Sequence, residues 1–161
     1  MAIEAYLKLA GVDGESVKKG HEGQIELLSF SWGVTQQASF QNNTGGGSGK
    51  AFAQDLHISK QLDATSTKLF QKCAMGEHIA TGELTFRKAG GPESVPYFVV
   101  KLTDLIVTSS SFGGSSDGDL VAESVSLAFA KISQEYKKQD NTGKGTTTGE
   151  MVYDFQKNTK G

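Results

Sequence analysis

The sequence is short of three things: it has one cysteine, two prolines, and no apolar run approaching the length needed to cross a bilayer. Cys73 cannot form an internal disulfide alone, so no covalent staple is available and a reducing compartment suits the chain. A basic excess is also missing. Lys and Arg number 16 against 18 Asp and Glu, for a net charge of −2, which argues against a protein that tracks nucleic-acid backbones. Membrane insertion is not expected either. The N-terminus has no basic stretch leading into an apolar core, so no conventional signal peptide is expected.

Glycine, by contrast, is abundant. Twenty glycines cluster with Ser, Thr, Asn and Asp, the composition of turns and long loops. Between these clusters the chain alternates with a period of two. Ile3, Ala5, Leu7 and Leu9 alternate with Glu4, Tyr6 and Lys8, which predicts a half-buried strand. A strand is predicted over Gln24–Gln36, with a parity switch at Leu27–Leu28 that signals a bulge or sharp bend. Beyond the switch, Phe30, Trp32 and Val34 share one face, while Ser29, Ser31, Gly33 and Thr35 share the other. Further strands are expected around Phe52–Ile58, Gly82–Lys88, Pro96–Ser109, Val121–Tyr136 and Thr146–Gln156. "QDNTGKG" (139–145) reads as a hairpin turn and "SSSFGGSSDGD" (109–119) as a flexible loop.

One stretch breaks the alternation. In "DATSTKLFQKCAMGEH" (63–78), Leu69/Cys73 and Phe70/Ala74 are spaced four apart, and Gly76 fits just past a C-terminus. This predicts one short amphipathic helix, capped at its start by a side-chain oxygen of Thr65 or Ser66. Eight or so strands and one helix make an all-β chain of 161 residues in a single domain. Sheets of this kind manage their edges by closing into a barrel or pairing with neighbours.

The chemical motifs fail on context. "GGGSGK" (45–50) suggests a phosphate loop, but the first glycine of that motif falls on Thr44 and the hydroxyl position on Ala51. A strand pattern follows instead of a helix. "GSSDG" (114–118) formally matches a nucleophile elbow centred on Ser116, again without the helix that the elbow needs. His21, His57 and His78 lack metal-ligand spacing, and Cys73 lies on the helix's apolar face as a buried structural thiol. No catalytic residue, metal or cofactor is therefore assigned. The stretch 39–53 is long for a connection, and Phe40 and Phe52 flank it as expected apolar anchors. An arm reaching onto another subunit suits it better than an anion cradle, and its candidate contact residues are Thr44, Gly45, Gly46, Gly47, Ser48, Gly49 and Lys50.

Taken together, "AYLKLAGVDGES" (5–16), "IELLSFSWGV" (25–34), "GGGSGKAFAQDLHISKQLD" (45–63), "TKLFQKCAMGEHI" (67–79), "ELTFRKAGG" (83–91), "VKLTDLIVTSSSFGG" (100–114) and "ESVSLAFAKISQEY" (123–136) resemble the Hcp family of bacterial type VI secretion, in order and spacing. The resemblance runs from about Ala2 to about Asn158. It implies a two-sheet antiparallel β-barrel with one flanking helix, assembling as a hexameric ring. Rings would stack into a tube that a contractile sheath expels, with a spike at its tip and small effector proteins in its lumen. It also implies residence in the bacterial cytoplasm before firing, then release to the exterior or a target cell. Many relatives have a proline at the start of the helix where this chain reads "DATSTKLF". Proline there only pre-sets the first turn, so its absence leaves the expectation standing. The small polar face of Ser29 and Ser31 is the candidate lumen surface. Two other readings fit the pattern: a phage-like tail-tube protein, and a monomeric barrel binding a small ligand at its mouth.

Overall fold

The computed structural model describes residues 2–41, 47–88, 95–139 and 145–161. Eight strands and one helix lie among them: β1 (Ile3–Leu9), β2 (Ile25–Glu26), β3 (Ser29–Ser39), β4 (Gly47–Gln61), α1 (Ser66–Met75), β5 (His78–Lys88), β6 (Phe98–Gly113), β7 (Ala122–Gln139) and β8 (Gly145–Asp154). Every strand pairing is antiparallel, in the order β2-β1-β5-β6-β7-β4-β3, with β8 added to β7.

The two ends of that order are joined in sequence. β2 pairs with β1 at one end and β3 with β4 at the other, and only Leu27 and Leu28 separate them. The Leu27 N–H donates to the Ala5 carbonyl at 3.0 Å, and the Leu28 N–H to the Ser59 carbonyl at 2.8 Å. Adjacent residues thus hold opposite margins of the sheet and close it on itself. The parity switch read from the sequence is this corner, where the chain passes from one sheet region to the other.

β6 and β7 are too long to keep one side inward throughout. On β6 the buried positions are Val100 and Leu102, then Leu105 and Val107. On β7 they run Glu123, Val125, Leu127 and Phe129, then Ile132. Both strands therefore change their inward side at the same level. On β6 the change falls at Asp104, whose φ of 56° is left-handed, and on β7 at Ala130, whose carbonyl accepts from the Phe155 N–H. Asp tolerates that conformation better than a branched residue because its short polar side chain bonds locally. Here its Oδ1 lies 2.8 Å from His78 Nδ1. The two halves of the sheet wrap one core that includes Leu7, Ile25, Leu56, Ile58, Leu84, Leu102, Leu105 and Leu127, with Trp32 and Phe30 packed at its margin against Phe86.

Helix α1 ends as expected, on a left-handed Gly76 whose N–H reaches back to the Cys73 carbonyl; Cys73, expected to be buried, is half-buried against the core. It starts differently. Thr65 is the N-cap but makes no side-chain cap bond. Asp63 takes over that role, its Oδ1 accepting from the Thr65 N–H at 2.8 Å, because the Ser66 hydroxyl is committed elsewhere. That hydroxyl donates to Glu123 Oε2 at 2.7 Å and accepts from Lys60 Nζ at 3.1 Å. Lys60 and Glu123 sit opposite one another in the β4–β7 register, with Nζ 2.6 Å from Oε2 and both residues fully buried. Lys60 also reaches Asp63 Oδ1 at 2.8 Å and the Gln61 carbonyl at 3.2 Å. Burial alone would raise the Asp63 pKa. Hydrogen bonds from Lys60 and Thr65 outweigh it and hold the carboxyl below its ordinary value.

Two local expectations are corrected. Tyr6 alternates as a polar position but is buried, because the segment after β1 folds over it and stacks the His21 ring on its ring at 4.4 Å. Ser109–Gly113, read as loop from its serines and glycine, continues β6, because β7 supplies a full ladder of partners as far as Gly113↔Ala122.

Removing one partner of the Lys60–Glu123 pair strands a buried charge. Lys60→Met or Glu123→Leu alone should cost about 3–5 kcal/mol of unfolding free energy, whereas the double variant should cost much less than the sum. Urea denaturation of the three variants measures this directly. Additive losses would mean that the pair is not coupled.

Candidate functional site

On an antiparallel sheet, residues opposite one another point to the same side. Leu56, Ile58 and Lys60 of β4 point inward, so Ser59 and His57 point outward. The registers carry this side across four strands. Ser29 (β3) lies opposite Ser59 (β4), which lies opposite Ser124 (β7), which lies opposite Ser111 (β6). One step along, Ser31, His57, Ser126 and Ser109 form a second row. Eight positions therefore hold seven serines and one histidine, over a width of about 14 Å for three inter-strand spacings.

Sequence reasoning marked Ser29 and Ser31 for this face, and both are exposed on it. It missed the other six positions. Ser109 and Ser111 were hidden by their loop-like composition. Ser59, Ser124 and Ser126 lie in strands whose partners no single-chain pattern reveals. The hydroxyls are in use locally: Ser29 Oγ and Ser59 Oγ lie 2.5 Å apart, and His57 Nδ1 is 2.7 Å from Ser126 Oγ. At its margin the Thr108 hydroxyl donates to Asp55 Oδ2 at 2.7 Å. No Lys or Arg stands in the two rows. The surface is polar, short-chained and nearly free of fixed charge, each hydroxyl being both donor and acceptor. It can meet varied polar surfaces without a rigid pattern.

The proposed arm is partly resolved into strand. β3 extends to Ser39, and β4 begins at Gly47, so Gly47, Ser48, Gly49 and Lys50 belong to β4 and pair back along β3, as in Ala38↔Ser48. Thr44, Gly45 and Gly46 lie outside the described residues. The connection is accordingly shorter than the sequence suggests, and its flanks form a two-stranded ribbon. β4 meets β7 only from Leu56 onward, so the ribbon continues past the rest of the sheet. It carries exposed apolar side chains: Phe40 is 86% exposed, Val34 61% and Phe52 54%. Phe40 and Phe52 therefore do not anchor the segment inward. Gly49–Lys50 is followed by strand, not by a helix N-terminus that could face a phosphate.

The other chemical candidates remain apart. "GSSDG" (114–118) lies in the connection between β6 and β7, with strand after it. His21 stacks on Tyr6, His57 sits in the serine rows, and His78 bonds Asp104. Among the described residues no group of three His, Cys, Asp or Glu is placed to hold a metal.

Comparison with known proteins agrees with this geometry. Residues 6–136 match the family described as "Type VI secretion system effector, Hcp". Protein hcp1 of Pseudomonas aeruginosa is 38% identical over 143 residues, 89% of this chain and 88% of that protein. The crystal structure of Hcp1 from Salmonella typhimurium is 35% identical with a TM-score of 0.81, covering 99% of each chain. A structure titled as a type six secretion system protein is 31% identical with a TM-score of 0.92, covering 99% of this chain and 100% of that one. A closed antiparallel sheet with one side helix, matched in sequence and in fold over nearly its whole length, belongs to the Hcp family, the tube proteins of the type VI secretion system.

Proposed function

We propose that six copies of this chain close into a ring lined by the serine face, and that the rings stack into the tube through which small effector proteins travel. The two serine rows carry this reading. A four-stranded stretch of open sheet with short hydroxyl side chains, backed by the core and its buried Lys60–Glu123 pair, suits a wall along which cargo slides. Ring assembly is known for Hcp proteins, and they are secreted by the type VI system. A contractile sheath then drives the tube, with a spike at its tip. The chain is made in the bacterial cytoplasm and leaves within the tube. Its part is structural, and neither Ser116 nor Cys73 acts as a nucleophile.

A head-to-tail ring is a heterologous contact whose rotation closes. The ribbon of β3 and β4, with Thr44–Lys50 at its end, is the contact between adjacent subunits or stacked rings. Its exposed Phe40, Phe52 and Val34 are the apolar surface such a contact would bury.

Light scattering of the purified chain should return six times its 17.1 kDa mass, with open-centred rings in negative stain. A monomer at high concentration would overturn the ring. Ser31→Gln places a longer side chain in the second row. It should leave the ring mass unchanged while reducing the effector that co-purifies, and equal cargo would remove Ser31 from the lumen. Deleting Thr44–Gly49 should weaken ring stacking and shorten tubes. Normal tube length and secretion would reject the contact role.

A further inference from the structure

Two buried side-chain oxygens lack any hydrogen-bond partner among the described residues, Ser110 Oγ and Glu123 Oε1. Their positions are related. Ser110 lies opposite Val125, and Glu123 lies opposite Phe112. Residues opposite one another share a side, and so do residues two apart on one strand. Ser110 and Glu123 are therefore diagonal neighbours on the inward side of the β6–β7 pair, the side that α1 covers where the Phe70 ring lies tilted against Phe112 at 5.9 Å. Ser109 and Ser111, by contrast, belong to the open face. The "SSS" of residues 109–111 divides into two serines for the outer wall and one for the interior.

Diagonal positions on neighbouring strands stand about 7–8 Å apart at the backbone, somewhat less between Cβ atoms. The two oxygens do not bond each other directly, and from that spacing one bridging molecule can reach both. Glu123 is fully buried, and its other oxygen, Oε2, already faces Lys60 Nζ at 2.6 Å and the Ser66 hydroxyl at 2.7 Å. Leaving Oε1 of an ionised carboxylate unsolvated in this interior would be costly.

We propose that the Ser110–Glu123 gap is a binding site for one internal water molecule. This water donates to Glu123 Oε1 and hydrogen-bonds the Ser110 hydroxyl. The polar chain then becomes continuous: Ser110 on β6, water, Glu123 on β7, Lys60 on β4, and Ser66 with Asp63 at the start of α1. A buried water with two to four polar partners is part of a fold, and this one ties the helix to three strands. The proposal depends on neither the ring nor the lumen, because Ser110 faces away from both serine rows.

The test turns on a sign. If the site is dry, Ser110→Ala removes an unsatisfied buried hydroxyl and should leave stability unchanged or raise it. If the site holds water, the same change removes one of the water's partners and weakens the solvation of Glu123. The unfolding equilibrium constant, from urea denaturation of the full chain, should then rise about five-fold, the equivalent of one hydrogen bond. Light scattering of the variant serves as a control and should match the parent protein. A crystal structure of the unmutated chain with ordered solvent resolved decides independently, even if the variant folds poorly. Density within hydrogen-bond distance of both oxygens is the expected result. A direct Ser110–Glu123 bond, an empty gap, a many-coordinate ion, or an unchanged or stabilised Ser110→Ala protein would each overturn the proposal.

Discussion

The buried pairing of Lys60 with Glu123 decides what the rest of the sheet can be. The two residues face each other across β4 and β7, and both are fully buried from bulk solvent. Strand side chains alternate with a period of two, so slipping this pair of strands by one residue would exchange their sides. Lys60 and Glu123 would then no longer meet, and a serine would enter the core. A slip of two would leave each charge buried without its partner. Neighbouring apolar positions such as Leu56 and Leu127 would tolerate several registers about equally, but the ion pair tolerates one. A buried pair gives little net stability, since desolvation offsets most of the attraction. In this protein its contribution is the register itself. Because the register is fixed, Ser29, Ser59, Ser124 and Ser111 fall into line across four strands on the opposite side.

The same network joins the helix to the sheet. Ser66 is the residue that a local reading assigns to capping, yet its hydroxyl points down to Glu123 and Lys60. Asp63 substitutes at the cap and also touches Lys60. A change at any one of these positions therefore acts on the helix start and on the β4–β7 register together. The closing corner has a similar economy. Leu27 and Leu28 are consecutive, and their N–H groups bind carbonyls on opposite margins of the sheet, Ala5 and Ser59. Ser59 takes part in both arrangements, its carbonyl closing the barrel and its hydroxyl meeting Ser29 in the outer row.

Much of this was legible in the sequence because alternation is a local property. β1 over Ile3–Leu9, the helix with its Gly76 stop, the strand that returns after the expected 139–145 turn, and the break at Leu27–Leu28 could all be read from residue spacing, while residues 140–144 of that turn lie outside the described residues. The features that escaped depend on distant partners. Ser109–Gly113 has the composition of a loop and is strand only because β7 lies beside it. The left-handed Asp104 carries no signature, since aspartate occurs in many conformations, and its place is set by two long strands that must turn their inward side. Lys60 and Glu123 read as ordinary polar positions, because burial of a charge is visible only once its partner is placed opposite. The serine face was found at two of its eight positions for the same reason. β3 showed its own parity, but within a row the neighbours that extend it come from residues up to 95 positions along the chain, as Ser124 is from Ser29.

Strand edges connect this fold to its assembly. Along the sheet order, β3 is a terminal strand eleven residues long, paired among the described residues only with β4. β8 has ten residues, pairs only with β7, and eight of the ten are exposed. Long unpaired edges are a hazard for a protein that stays alone, and monomers usually blunt them with charge, proline or a covering segment. The outer edge of β3 offers Val34, Thr35, Gln36, Gln37 and Ala38, with no charge and no proline. Such an edge is tolerable when a neighbour covers it. The orientation matters as much as the edge, because β3 is also a margin of the serine face. A subunit arriving along that margin would extend the same outward side, so one contact would both satisfy the edge and continue the hydroxyl wall. The open face and the uncharged edge thus follow from the same parity, fixed at Lys60 and Glu123 inside the protein.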